Sequence, residues 1–256
     1  MNRETQNQNG ETHPFQRLQL ELASLISETQ PGDRLPAEPE LARQLGVSRA
    51  TLREAMRTFE GQGVIRRRQG VGTFVVSHSH VIESGLEVLQ SIETLAHKIH
   101  LDVSMGDLDV AQVVANQEQA TALLVEKGTS LVQVSRAILA ESRPVAYLVD
   151  TLPDDVLSAE DLEQGFTGSV LDLLLRRGSP SLVHSMTEIR AVAAPAEIAR
   201  RLEIQRGDVL LMFVACLFTD KGQVADYSLS YFLPGYFRFH VVRRVDEYKS
   251  AYQVPE

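Results

Sequence analysis

The sequence predicts an α+β chain of two domains, and three observations carry that expectation. The first ~75 residues hold three amphipathic helical patterns and then two short strand patterns around a glycine turn. The remainder runs through helix, glycine turn and paired strands twice over. A length of 256 residues, 43% hydrophobic and 23% charged, is enough to bury two ordinary cores.

Residues 1–13 are polar and without periodicity, and read as a tail. From Phe15 onward Leu18, Leu22, Leu25 and Ile26 recur at helical spacing until Pro31-Gly32, which predicts a first helix. A second helix fits Glu38 to Leu45, with Leu41, Ala42 and Leu45 on one face and Gly46 placed for a left-handed C-cap. Ser48 is a good N-cap for a third helix to about Gly61, whose buried stripe is Leu52, Ala55, Met56 and Phe59. After the Gly61-Gln62-Gly63 break, Val64 to Arg68 and Thr73 to Val76 read as strands of a hairpin turning at Gln69-Gly70-Val71-Gly72.

The outer face of the third helix carries Arg49, Arg53 and Arg57 at i, i+4 and i+8, a row roughly 12 Å long. A solvated basic face is the plain alternative. Set between a tight turn and a glycine hairpin, the row has the form of a recognition helix in a winged helix-turn-helix, whose wing glycines let the main chain approach sugar and phosphate. Charge agrees in distribution rather than in total. The chain carries −9 overall, but residues 1–80 hold ten arginines against nine carboxylates, or +1, which leaves −10 elsewhere. The first lysine is Lys98, so every basic group here has the planar fork that suits phosphate and guanine edges.

Residues 78–98 mix polar residues with Leu86, Val88, Leu89, Ile92 and Leu95 and read as a partly packed linker between a domain at 14–77 and a second at 99–245. In the second domain Ala120, Leu123 and Gly128 correspond to Ala199, Leu202 and Gly207 at a constant offset of 79, and Pro153 to Pro234 at 81. Each unit predicts a helix, a glycine turn and two strands: Leu131 to Leu139 with Pro144 to Thr151, then Val209 to Thr219 with Val224 to Phe232. Between them, Gly168 to Arg177 predicts a helix and Leu182 to Val192 a strand. The expectation is one antiparallel sheet built by duplication, with helices covering one face.

Composition excludes several classes of function. The longest apolar run, Val209 to Phe218, is too short to cross a bilayer, and the single Cys216 cannot form a disulfide or a cysteine-based metal site within one chain. A cytoplasmic protein without membrane contact is expected. Residues 99–245 offer no acid-base constellation or metal-ligand set, so neither catalysis nor a cofactor is expected.

The stretch Pro31-Gly32-Asp33-Arg34-Leu35-Pro36, with Glu38, Glu40-Leu41-Ala42, Leu45 through Arg49, Leu52-Arg53-Glu54-Ala55 and Arg67 through Phe74, resembles the GntR family of bacterial regulators over nearly all of residues 14–76. Ser135-Arg136, Arg143-Pro144-Val145-Ala146, Gly168-Ser169-Val170, Thr187-Glu188 and Tyr227 through Phe232 resemble the UTRA domain of its HutC branch, which has a chorismate-lyase-like fold. The resemblance implies a homodimeric transcriptional regulator, acting as a repressor, that binds a palindromic double-stranded operator and a small-molecule effector. It places Arg49 and Arg53 at DNA, Thr51 at the backbone and Gly70 in the wing tip; the expected interface is completed by Arg34, Ser48, Arg57, Arg67, Gln69, Gly72 and Thr73. Where many members carry an arginine between two glutamates, this chain has Pro39, which removes one contact and leaves Arg43 as a substitute. Effector contacts are expected from Arg136, Asp150, Ser185, Asp226, Ser228 and Tyr231. The frequent second arginine and a frequent glutamate fall at Ile138 and Leu148, which implies a less anionic or partly apolar effector. The alternative carried by the fold resemblance is a lyase-like enzyme domain targeted to DNA.

Overall fold

The computed structural model describes residues 14–61, 63–68, 70–76, 81–163 and 166–243. Helices α1 (Pro14–Glu28), α2 (Glu38–Gln44) and α3 (Arg49–Gly61) close over Leu18, Leu22, Leu35, Leu41, Leu52 and Ala55. Gly46, at φ +64, lets Val47 N–H reach back to Ala42 O, so α2 stops and α3 starts within one turn. Strands β1 (Ile65–Arg68) and β2 (Gly72–Val75) form the wing, with Arg67 opposite Thr73. The chain before α2 lies along β2: Gly32 N–H donates to Val75 O and Leu35 N–H to Thr73 O, each at 2.8 Å. The wing is thereby fixed to the helical core.

The segment expected as a linker is built into the second domain from Ile82 onward. β3 (Ile82–Gly85) pairs in parallel with β10 (Phe237–His240) near the other end of the chain. α4 (Ile92–Lys98) buries Ile92, Leu95 and Ala96 against Ile138, Leu148 and Phe232. The partner strand was too far away in sequence for local patterning to reveal it. Residues 78–80 lie outside the described residues.

The rest of the domain is β4 (Val103–Val114), α5 (Gln117–Leu123), β5 (Ser130–Ala140), β6 (Arg143–Pro153), α6 (Ala159–Glu163), α7 (Val170–Arg177), β7 (Leu182–Ala193), α8 (Ala196–Arg201), β8 (Val209–Thr219) and β9 (Val224–Phe232). β4 to β9 make one antiparallel sheet in the order β4-β5-β6-β9-β8-β7. The duplication is visible in its hydrogen bonds. Gly128 N–H donates to Ala115 O and Ala115 N–H to Thr129 O, and Gly207, Ala194 and Asp208 repeat this 79 residues on. The prolines do not keep the correspondence, since Pro153 lies within β6 opposite Leu131 while Pro234 follows the end of β9.

The expectation of helices on one face is corrected. α5 packs on Leu131 and Tyr227, and α8 on Ala137 and Tyr147. α4, α6 and α7 cover Val132, Val134, Ile138, Leu148 and Leu152, which alternate with the first set along the same strands and so lie on the opposite face. β5 and β6 are buried at nearly every successive position, the pattern of strands covered on both sides.

Gly128 and Gly207 hold φ of +90 and +92 with nothing near a would-be Cβ, so their requirement is purely conformational. Gly128→Ala and Gly207→Ala are each expected to lower unfolding stability by roughly 1–2 kcal/mol in chemical denaturation. A neutral result at either would mean that the two turns are not equivalent.

Candidate functional site

The first candidate surface is built by α3 and the wing. Ser48 Oγ accepts from Thr51 N–H at 3.1 Å and lies 2.8 Å from the Thr51 hydroxyl, fixing the first turn of α3. Arg49 and Arg53 project outward, 59% and 49% exposed. Glu38, in the first turn of α2, gathers them: its carboxylate lies 3.9 Å from Arg49, 2.8 Å from Arg53, and in close contact with Arg67 of the wing. One side chain thus ties recognition helix to wing. Arg57 pairs instead with Glu54 at 2.8 Å, so the row of three is not uniform.

Gly70 turns the wing at φ +74, and Gly72, at φ +142, lies so close to Arg34 that any side chain there would collide with the guanidinium. Thr73 is largely buried, at 6% exposure, and contributes little to this surface. Gln69 lies outside the described residues. Pro39 sits in the first turn of α2, where a missing N–H costs nothing. Glu38 escaped sequence reasoning because its partners lie 11, 15 and 29 positions away, on two other elements.

The second candidate site lies inside the effector-like domain. Arg136 of β5 is buried, donating through Nε to Gly168 O and through Nη1 to Asp150 of β6. Asp226 of β9 is hydrogen-bonded beside Asp150 and accepts from Thr151 N–H at 3.2 Å. Burial foremost, then the Asp150 charge and that hydrogen bond, push the Asp226 carboxyl well above the ordinary carboxylate range. Asp226 is therefore biased toward its protonated form. Ser228 stands directly opposite Asp150, and Ser185 opposite Leu217 on the same face.

Tyr231 does not join them. It follows Ser230 on β9 and packs with Tyr147 and the α8 cluster on the other face of the sheet. The structure supplies neighbours that the sequence did not flag. Glu93 Oε1 is buried without a hydrogen-bond partner, and burial raises its carboxyl. Ser91 caps α4 and donates to Asp172 at 2.7 Å, while Ser169 caps α7 by accepting from Asp172 N–H. The helix starts of α4 and α7 thus meet over Arg136. Ser169 was legible as part of a Gly-Ser-Val motif; Ser91 and Glu93 sat in a segment read as linker.

These two sites, one an exposed arginine surface on a winged helix-turn-helix and the other a buried polar cluster in a separate sheet domain, define a ligand-responsive DNA-binding regulator. The chain matches "Bacterial regulatory proteins, gntR family" over residues 16–75 and the "UTRA domain" over residues 100–238, and it belongs to the GntR family of transcriptional regulators, in the branch with a UTRA domain. It is 28% identical to the HTH-type transcriptional repressor NagR of Bacillus subtilis, over 83% of this chain and 86% of that protein. It is 31% identical to the histidine utilization repressor of Klebsiella aerogenes, over 71% and 74%. The crystal structure of PhnF from Mycobacterium smegmatis superposes with a TM-score of 0.60 at 21% identity, over 89% of this chain and 99% of that one, and agrees in fold. The chain is a regulator and not an enzyme. No helix among the described residues is long and apolar enough to cross a membrane.

The carboxylates of the two sites can be tested separately. Glu38→Gln removes the brace and also a negative charge, so affinity for random duplex should hold or rise while preference for a selected operator falls roughly tenfold, read as the ratio of dissociation constants; a parallel change in both would deny Glu38 a positioning role. Asp226 binds its proton more tightly folded than unfolded, so it lowers stability as pH rises from the ordinary range, about 4, toward its raised native value. Asp226→Asn mimics the protonated acid and should melt higher than wild type at pH 8, the difference shrinking on acidification.

Proposed function

We propose that the chain is a cytoplasmic homodimeric repressor that reads a palindromic duplex operator and releases it when a small molecule occupies the cluster around Arg136. The observation that carries the DNA half is the convergence of Arg49, Arg53 and Arg67 on Glu38, which makes α3 and the wing one preset donor surface. Ser48, Thr51, Gly70 and Gly72 supply backbone approach, and Arg34 supports the wing. Two copies related by a twofold axis would present two such helices to successive major grooves.

β7 is a favourable place for that axis. It is an edge strand of the sheet, and Val183, Met186 and Ile189 stand 59%, 65% and 44% exposed on it. An open ladder edge carrying apolar side chains is a pairing template unless a second chain covers it.

For the effector, the positions beside Arg136 favour a ligand without a doubly charged phosphate. Ile138 and Leu148 are buried in the apolar cluster under α4, and the Arg136 guanidinium already serves Asp150 and Gly168 O. Arg136, Asp150 and Asp226, with Ser228 on the central strand β9 and Ser185 on the edge strand β7, form the proposed contact set. Effector binding that stabilises one spacing of the two DNA-binding domains changes operator affinity by linkage.

The test of the DNA half is Arg53→Ala, measured by fluorescence anisotropy on a duplex enriched from a randomised pool by the wild-type protein. A bidentate guanine contact predicts a loss of about 1–3 kcal/mol, concentrated at one base pair of each half-site. Unchanged affinity would remove Arg53 from the interface.

A further inference from the structure

The DNA-reading surface does not look into open space. It forms one wall of a cleft of about 700 Å³, contributed by Arg34, Arg53, Arg57, Arg67 and the wing from Gly70 to Thr73; the other wall is the α8–β8 turn of the second domain with Arg143. Glu203 and Asp208 of that turn line the same cleft as the arginines. The two walls also touch. Gly63, just beyond α3, lies against Gly235 and Tyr236, where a Cβ would come within 3.0 Å of the tyrosine ring. Tyr236 is held in turn by Arg143, 5.8 Å from the ring centroid and 3.5 Å from its hydroxyl.

The duplication supplies an internal comparison. The turn equivalent to 203–208 is 124–129, related by the same offset of 79 and with the same left-handed residue at its start, Leu124 at φ +57 and Glu203 at φ +54. The first turn carries Leu124 and Thr129, and it does not line the cleft. The second carries Glu203 and Asp208 in the same two places. The fold of the turn therefore requires no carboxylate at either position, and the acids occur in the copy that meets the arginines.

We infer that the α8–β8 turn is a docking surface for the recognition face of its own chain, and that Glu203 and Asp208 compete there with operator phosphates. A recognition helix seated in the major groove, about 12 Å wide, has a phosphate wall along each side. In the docked arrangement that space is taken by the second domain, so docking and operator binding exclude each other. The charges are complementary: four arginines against Glu38 and Glu60 on one wall, and two carboxylates against Arg143 on the other. The docked population lowers apparent operator affinity by the fraction of chains that it holds. This inference rests on the proposed DNA surface and adds a closed state to it.

The experiment uses the full chain as Glu203→Gln with Asp208→Asn, which keeps shape and leaves an amide oxygen at position 208 to accept from the Gln205 N–H that Asp208 serves at 3.0 Å. The control is Glu126→Gln with Asp155→Asn, the same charge change at exposed positions that do not line the cleft. Both are measured without effector on the duplex selected by wild type. The cleft variant should bind roughly three- to tenfold more tightly, as the loss of two weak, water-screened charge attractions across the cleft allows, and the control should match wild type. Equal affinity of the cleft variant and wild type overturns the inference, and so does an equal gain in the control. Failure of the wild type to select any duplex would instead remove the DNA reading beneath it. Unchanged thermal melting of the cleft variant separates release of the contact from damage to the turn.

Discussion

The second domain is held together by the antiparallel pairing of β6 with β9. Each is the last strand of one copy of the repeated unit, and their ladder from Ala146↔Phe232 to Thr151↔Tyr227 joins the copies into a single six-stranded sheet. The same ladder sets Asp150 opposite Ser228 and brings Asp226 beside it. Because side chains alternate across a strand, a one-residue slip would send Asp150 to the other face and leave Arg136 buried without its carboxylate. Sheet register and the polar cluster around Arg136 are therefore one constraint. Both faces of the sheet are covered along β5 and β6, which gives that register little freedom to change.

The two candidate sites solve opposite electrostatic problems. At the surface, four arginines of the DNA-binding domain must stand together in water without scattering. Glu38, mostly buried itself, meets this by gathering Arg49, Arg53 and Arg67, whose half-exposed side chains leave each contact partly screened by water. Inside the second domain, buried Arg136 is met by the Asp150 carboxyl and the carbonyl of Gly168, with Asp226 beside them. A partly screened brace can give way to phosphate and bases. A buried cluster resists change until a ligand enters it, which suits a sensor.

The duplication explains how one scaffold carries differentiated parts. The two α–turn–β units share hydrogen bonds down to their glycines, while the side chains hung on equivalent positions diverge. One face received the helix starts of α4 and α7 and became the polar cluster; the other kept the repeated helices α5 and α8. Of the two repeated turns, it is the α8 turn that lines the cleft against the DNA-binding domain. Tyr236, packed against Gly63 and Arg143, lies where the two domains touch and links the core of one to the helix exit of the other.

By itself the sequence determined the elements of the DNA-binding domain, the repeated units of the second domain and the family. Periodicity in α1 to α3, Gly46 at its left-handed turn, the Gly70-Val71-Gly72 wing and the 79-residue offset are all local signals, spaced within reach of one helix or hairpin, and Arg49 and Arg53 follow from them. Tertiary structure decided everything that depends on partners distant in the chain. β3 was hidden because its partner β10 lies more than 150 residues away, and helices on both faces of the sheet were hidden because β5 and β6, buried on both sides, give no alternation from which to read a solvent face. Tyr231 was misplaced because face is set by register rather than by residue type. Glu38 and Glu93 became visible only when folding brought them to arginines on other elements, since no spacing rule links a carboxylate to a cation that only packing makes its neighbour.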